Sequence, residues 1–328
     1  MAQRTLLQII QAVQSELGLA VDTQVVNSTQ QSTQQMFAYA NQETEELSQA
    51  NDIGWTALQT EYNLVINVPI STTGNVTANS AVITNIPNTS SLTAGYFMVS
   101  GNSIPSAARI LSVDSISQVT MTMPATRNGT NQALLFMQDT YPEPADFMKF
   151  IPRTWWDRTN RWELLGPDSP QMDQWHRSGI VTTGPRRHWR QIGAPSNQLA
   201  ALGNTYRLWP PPGTDVVNPI SLVFEYISRN TVFSAGTSTR QFNFTADTDI
   251  PVLDARAIIM GIKWRFWAQK GFDWKVLRSD YDDYVQRLIA RDGGSRTLNL
   301  VQRQNPIFIS PANVQDGFFP GPIGPNTG

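Results

Sequence analysis

The stretch EYNLVINVPISTTGNVTANSAVITNIP (residues 61–87) divides the chain into two kinds of pattern. From Tyr62 apolar and polar side chains alternate with period two, the signature of a half-buried strand. The run is rich in Val, Ile, Thr, Ser and Asn, almost free of charge as far as Phe136, and punctuated by Gly74, Pro87, Gly95, Gly101, Pro105, Pro124 and Gly129. Short strands are predicted at Ser80–Ile86, Gly95–Ser100, Ala108–Val113 and Gln118–Met123, with turns between them. Residues 63–140 therefore read as a compact all-β module whose ends have the character of an insertion.

Upstream of Tyr62 the period is helical. Leu6, Leu7, Ile9, Ile10, Val13 and Leu17 recur at 3.6-residue spacing, Thr5 suits the cap, and Gly18 suits the position just past the end. A second helix is predicted from Ser28 to Gln49 with Met36, Phe37, Ala40, Glu43 and Leu47 on one side, and a short turn from Asp52 to Leu58. Residues 1–62 carry Arg4 alone against seven acidic side chains.

Downstream, residues 141–248 read as a mixed, aromatic and Arg-rich β region. Tyr206–Trp209 runs into Pro210–Gly213 and is expected to pair with Ile220–Ile227, and Arg240–Thr245 is a further strand candidate. Residues 249–300 read as a helix pair. Asp249 is expected to cap the first, with Pro251 in its first turn; Leu253, Ala257, Met260, Trp264 and Ala268 form the stripe, and Gly271 ends it. The second runs over 273–291 with Trp274, Leu277, Tyr281, Tyr284 and Leu288 inward. Residues 301–328, rich in Pro, Gly and Asn with isolated Phe308, Phe318 and Phe319, read as an extended arm that orders on a neighbour. The fold class is thus α+β: a helical bundle core with antiparallel β structure and an inserted all-β module.

Composition narrows the chemistry. The chain has 328 residues, 40% hydrophobic, and no cysteine, which excludes disulfides, thiolate metal sites and thiol catalysis. No run approaches the roughly 20 apolar residues of a membrane span, and MAQRTLLQII lacks a small-residue cleavage site, so no signal peptide is expected. Phosphate loops, nucleophile elbows and His-Glu-x-x-His are absent. His176 and His188 stand twelve apart with no evident third ligand, and Asp280, Asp282 and Asp283 lie on a solvated helix face. The expectation is no catalytic residue, no cofactor and no metal.

What stands out is Phe147–Ile192. It holds Trp155, Trp156, Trp162, Trp175 and Trp189, half of the chain's 10 tryptophans, and from Lys149 to Arg190 seven arginines and one lysine face only Asp157, Glu163, Asp168 and Asp173. Trp and Arg dominate the energetic centres of protein interfaces. Arg153, Trp155, Trp156, Arg158, Arg161, Trp162, Arg186 and Arg187, with the three phenylalanines of the arm, are the candidate interface residues. Nucleic-acid binding by this block is disfavoured by a pI near 5.7 and by the acids interleaved with the bases.

Three stretches, VNSTQQSTQQMFAYANQETEELSQANDIGWTAL, FIPRTWWDRTNRWELLGPDSPQMDQW with GPRRHWRQIG, and VLDARAIIMGIKWRFWAQKGFDW, resemble the head-to-tail adaptor (connector) proteins of short-tailed bacteriophages. The resemblance spans residues 4–60 and 141–300. Residues 75–136 depart from shorter adaptors and are similar to a β module inserted in phage virion proteins. It implies a non-enzymatic, homo-oligomeric ring, a dodecamer, assembled in the host cytoplasm and located in the virion at the head-tail junction. Its partners would be the portal protein above and the tail nozzle or hub below, with a tail fibre as a candidate partner of the inserted module. DNA would pass through the lumen without specific binding. The alternative is a carbohydrate-binding tail or fibre component, in which the flat indoles stack on sugars.

Overall fold

A computed structural model describes residues 4–177, 187–194, 204–214 and 216–292. Helices α1 (Leu6–Glu16) and α2 (Gln31–Gln49) are followed by a 3-10 turn at Thr56–Leu58 and strand β1 (Gln59–Ile66). Six strands come next: β2 (Ile70–Val76), β3 (Val82–Thr84), β4 (Phe97–Ser100), β5 (Ile110–Ser115), β6 (Gln118–Met121) and β7 (Gly129–Gln138). Short strands β8 (Thr140–Pro142), β9 (Phe147–Phe150), β10 (Trp156–Asp157) and β11 (Trp162–Glu163) lead to α3 (Pro170–Arg177). The remainder is β12 (His188–Gly193), β13 (Asn204–Trp209), β14 (Ile220–Ser228), β15 (Val232–Ser234), β16 (Thr239–Gln241), β17 (Ile250–Pro251), α4 (Ala255–Lys270) and α5 (Lys275–Arg291). Mixed α+β is what the sequence leads one to expect.

The described residues form two compact units. The first comprises 4–61, 145–151 and 225–292, the second 62–144 and 152–224. These units cut across the expected 141–248 region, because β14 passes from one to the other. Residues beyond 292, with Phe308, Phe318 and Phe319, and Arg186 lie outside the described residues.

In the first unit α4 packs against α1, α2 and α5. Thr5 closes a capping box on α1: its hydroxyl accepts from Gln8 N–H at 3.3 Å and Gln8 Oε1 accepts from Thr5 N–H at 3.1 Å. Leu6, Ile9, Ile10 and Val13 are fully buried. Helix α2 begins three residues later than expected. The Asp247 carboxylate accepts from the N–H groups of Val25 and Val26, and Gln34 Nε2 binds Ser28 C=O at 2.7 Å, so the preceding segment is held in a non-helical path. The first cap of the C-terminal pair also differs from expectation. Asp254, not Asp249, caps α4, accepting from Arg256 N–H at 2.9 Å and Ala257 N–H at 3.1 Å. Asp249 is buried and organises the preceding turn instead, accepting from Thr245 and Ala246 N–H, both at 2.8 Å, and Pro251 sits in β17.

The inward face of α4 is Ala257, Ile258, Gly261, Ile262, Arg265 and Phe266. The expected stripe through Met260, Trp264 and Ala268 is only half-buried. The period misleads here because a charged residue, Arg265, points inward to Glu43 and Glu46 while Trp264 lies against Arg265 and Arg278, at 4.4 and 4.5 Å from ring centre to guanidinium. Helix α5 buries Tyr281, Val285 and Leu288, and leaves Trp274 exposed.

In the second unit strands β2 to β7 form one antiparallel sheet in the order β4-β7-β2-β3-β6-β5. Its two edges meet. Val99 N–H binds Ala108 C=O at 2.9 Å, Gly95 N–H binds Ile110 C=O at 2.8 Å, and Met98 bridges Arg109, so the sheet closes into a six-stranded barrel. The barrel has its own core, with Ile83, Ile110, Val119, Leu134 and Phe136 at its centre. Beside it, β13 is flanked on both sides, by β12 (Trp189↔Leu208) and by β8 (Tyr206↔Tyr141). The expected hairpin of β13 with β14 does not form: Pro210–Gly213 is too rigid for a tight turn, and Leu222 and Val223 of β14 pair with β10.

Candidate functional site

The Trp/Arg block resolves into a buried half and a presented half. Trp155 is 1% exposed and stacks on Phe224 and Trp189, with centroids 4.1 and 4.6 Å apart, while Tyr206 meets it edge-on at 5.0 Å. Each such ring contributes about 4–6 kcal/mol of gross transfer energy on ~150–250 Å². Trp155 and Trp189 are therefore core residues, with no indole area left to offer another chain, although Trp155 stands among the expected interface positions. Arg187 is likewise buried and donates to the Pro210 carbonyl.

Trp156 and Trp162 flank a tight hairpin, β10–β11, and are half-buried. Trp156 pairs with Glu163 and Asp157 with Trp162. Strand alternation then puts the two indoles on opposite faces of the hairpin, so they do not form a single platform. The connecting turn is fixed from within. The buried carboxylate of Asp157 accepts from Asn160 N–H and Asn160 Nδ2, both at 2.8 Å, and its carbonyl accepts from Arg161 N–H at 2.7 Å. Arg161 adopts φ +63°, a left-handed conformation that a long side chain tolerates when neighbouring bonds demand it. Arg158 and Arg161 thus stand exposed at a locked hairpin tip, and Arg153 is exposed one turn earlier at φ +64°.

Two buried carboxylates of the same unit gather a cluster of arginines. Asp139, fully buried, pairs with Arg109 and with Arg177 at 3.4 Å; Asp173 pairs with Arg177 at 2.9 Å and Arg190 at 3.1 Å. Arg177 also lies 4.8 Å over Trp209. Arg207 joins this cluster and keeps its charge at neutral pH, although burial, then the neighbouring Arg109 cation, lower its pKa to about 10.

The two histidines come together. Their ring centroids are 4.3 Å apart, and Asp168 Oδ2 lies 3.1 Å from His176 Nδ1 and 3.3 Å from His188 Nδ1. The third ligand type missing from the sequence argument is Asp168. It is brought in by a non-local contact, Asp168 N–H to Trp189 C=O at 2.9 Å, which no local spacing could reveal.

In the first unit the charged centre is Glu43, fully buried, whose Oε2 accepts from Arg265 Nε at 3.0 Å and Nη2 at 2.8 Å. Burial pushes the Glu43 carboxyl up from its ordinary value despite Arg265 and Tyr281 beside it, and burial with the adjacent Glu43 charge raises Tyr281 strongly. The α4–α5 turn presents Phe272, Trp274 and Val276 to solvent at 59, 38 and 66% exposure. A concavity of about 1380 Å³ in this unit is lined by Trp55, Arg240, Asp254, Lys263, Tyr284 and Asp292 among others. Two of its carboxylates have structural duties: Asp254 caps α4, and Asp292 accepts from Thr56 N–H at 2.9 Å and Asn51 Nδ2 at 3.3 Å. Among the described residues no helix is long and apolar enough to cross a membrane. Compared with known proteins, the chain matches no family model and no curated protein.

Proposed function

We propose that this chain is the repeating subunit of a head-to-tail adaptor ring of a short-tailed bacteriophage, joining portal to tail nozzle around the DNA channel. The observation that carries the reading is the hairpin tip, where Asp157 fixes a turn that holds Arg158 and Arg161 at exposed positions between Trp156 and Trp162. A locked, exposed cation pair beside two half-buried indoles has the makings of an interface anchor rather than of a fold determinant. A ring also requires a second, dissimilar patch on each subunit, since its contacts are heterologous. The apolar turn Phe272–Val276 is chemically suited to be that patch.

The four long helices of the first unit supply the channel-lining bundle in this reading. Solvent-facing positions of α2 are Gln31, Ala38, Gln42, Glu45, Glu46 and Gln49, with no Lys or Arg on the helix. Such a surface offers DNA phosphates no neutralising contact, so a duplex slides past it. The barrel projects from the ring in the same reading.

The test is assembly. Mass photometry of the wild type with purified portal should show a ring of about twelve adaptor copies, and Arg158→Ala with Arg161→Ala should weaken it while the subunit's melting temperature stays unchanged. A wild type that remains monomeric with portal, or a double variant that loses subunit stability in proportion to assembly, refutes the assignment.

A further inference from the structure

We propose that Asp168, His176 and His188 form a binding site for a divalent transition-metal ion, zinc being the best chemical match, which fastens the last turn of α3 to β12. The three side chains come from three separate segments: a loop, a helix and a strand. Their candidate ligand atoms all lie within 4.8 Å of one another. Both imidazoles turn the same nitrogen, Nδ1, toward the Asp168 carboxylate: His176 lies 3.1 Å from Oδ2, and His188 lies 3.3 Å from Oδ2 and 3.4 Å from Oδ1. Ligand atoms around a tetrahedral zinc with bonds of about 2.0–2.1 Å stand about 3.3 Å apart; the two histidine–aspartate spacings already match this, and the whole set, within 4.8 Å, closes on an ion by side-chain rotation.

Hydrogen bonding to the carboxylate accounts for each ring singly. What it leaves over is the convergence of two imidazoles on one carboxylate with the rings 4.3 Å apart, a set of three ligand atoms that one ion could bridge. The scaffold holds the three in place whether or not an ion is bound. Asp168 N–H is fixed to Trp189 C=O at 2.9 Å, Trp189 N–H returns to Leu165 C=O at 2.9 Å, and Asp173 of α3 pairs with Arg190 of β12 at 3.1 Å. The three side chains are 7, 12 and 14% exposed, shielded from bulk water yet reachable by an ion. Two imidazoles and a carboxylate favour zinc and its transition-metal neighbours over magnesium or calcium, which prefer all-oxygen sets. With three protein ligands, water completes the coordination.

The experiment uses the full-length protein, stripped with EDTA and dialysed, then titrated with zinc chloride by calorimetry and with cobalt(II) chloride by visible absorption. Expected are one zinc per chain, a higher melting temperature with zinc, and the intense visible bands of four-coordinate cobalt. Asp168→Asn, His176→Ala and His188→Ala should each lower zinc affinity by more than the about 10–100-fold that loss of a mere supporting group produces. Stripped wild type that takes up no zinc at micromolar concentration overturns the proposal, as does unchanged affinity in both histidine variants. Should a substitution unfold the chain, the intact protein decides: a spectrum identical to aqueous cobalt ion overturns the site, and four-coordinate bands support it. None of these outcomes depends on whether the chain forms a ring.

Discussion

Gly261 lies in the middle of α4, where Ala in place of Gly ordinarily stabilises a helix by about 1 kcal/mol. The packing implies the reverse for Gly261→Ala. An added Cβ would fall 2.5 Å from Glu43 Oε1 and nearer still to the carboxyl carbon. That carboxylate is no loose end, because Arg265 grips its other oxygen at 3.0 and 2.8 Å and Glu43 is fully buried. Either α2 backs away from α4, an overpacking cost of about 1–3 kcal/mol, or Glu43 leaves Arg265. Unpairing a buried ion costs about 3–5 kcal/mol, moderated because Arg265 keeps Glu46 at 2.6 Å. Set against the propensity gain, the net loss should be about 2–4 kcal/mol. Urea unfolding followed at 222 nm measures it, since α1, α2, α4 and α5 all belong to the first unit. In a Glu43→Ala background the obstructing carboxylate is gone, and Gly261→Ala should become neutral or stabilising. A single variant as stable as wild type, or an equal loss in both backgrounds, would refute the reasoning.

The raised Glu43 pKa has a definite sign: the folded state holds the proton longer, so this contribution is full below the ordinary value of 4.5 and is lost as pH rises through the raised one. Relative to Glu43→Gln, wild type should therefore lose urea resistance as pH rises above the ordinary value of 4.5, and a flat difference would count against burial as the cause. Asp157→Ala removes two hydrogen bonds from the hairpin turn and should cost about 1–3 kcal/mol, and trypsin should cut at Arg158 and Arg161 faster; unchanged cleavage would mean the turn is held by other means. Phe136→Ala, at the centre of the barrel, should destabilise the second unit by about 3–5 kcal/mol, read from the β-sheet signal on heating, and a loss under 1 kcal/mol would show that the barrel core collapses around the gap.

Where local rules act alone, the sequence was legible. The period of α1, its Thr5 cap and its Gly18 terminus are all visible in residues 5–18, because each depends on neighbours within four positions. The all-β character of residues 70–138 is equally plain. Harder was α4, where two aspartates could each cap and the choice between Asp249 and Asp254 rests on a turn from Gln241 to Ala246. The inward Arg265 broke the apolar period for the same reason: its justification, Glu43, sits 222 residues away. Sorting the Trp/Arg block into core and surface also needed three dimensions. Trp155 and Trp156 are adjacent and chemically identical, yet strand alternation sends only the first into the stack with Phe224 and Trp189. The His–Asp–His cluster was invisible for want of any local link between Asp168 and β12.

The register of the barrel bears on how it is tied into the chain. Entry and exit strands pair with each other, Ile70 opposite Phe136 and Gly74 opposite Gln132, so the chain enters and leaves the barrel at points about 5 Å apart. A closed element whose ends are already neighbours asks almost nothing of the backbone that carries it, because loop entropy grows only slowly with length. What ties the barrel to the residues after it is polar: Arg109 pairs with Asp139 and donates to Thr140 Oγ1 at 2.9 Å, and Tyr96 C=O accepts from Asp139 and Thr140 N–H at 3.2 and 3.3 Å.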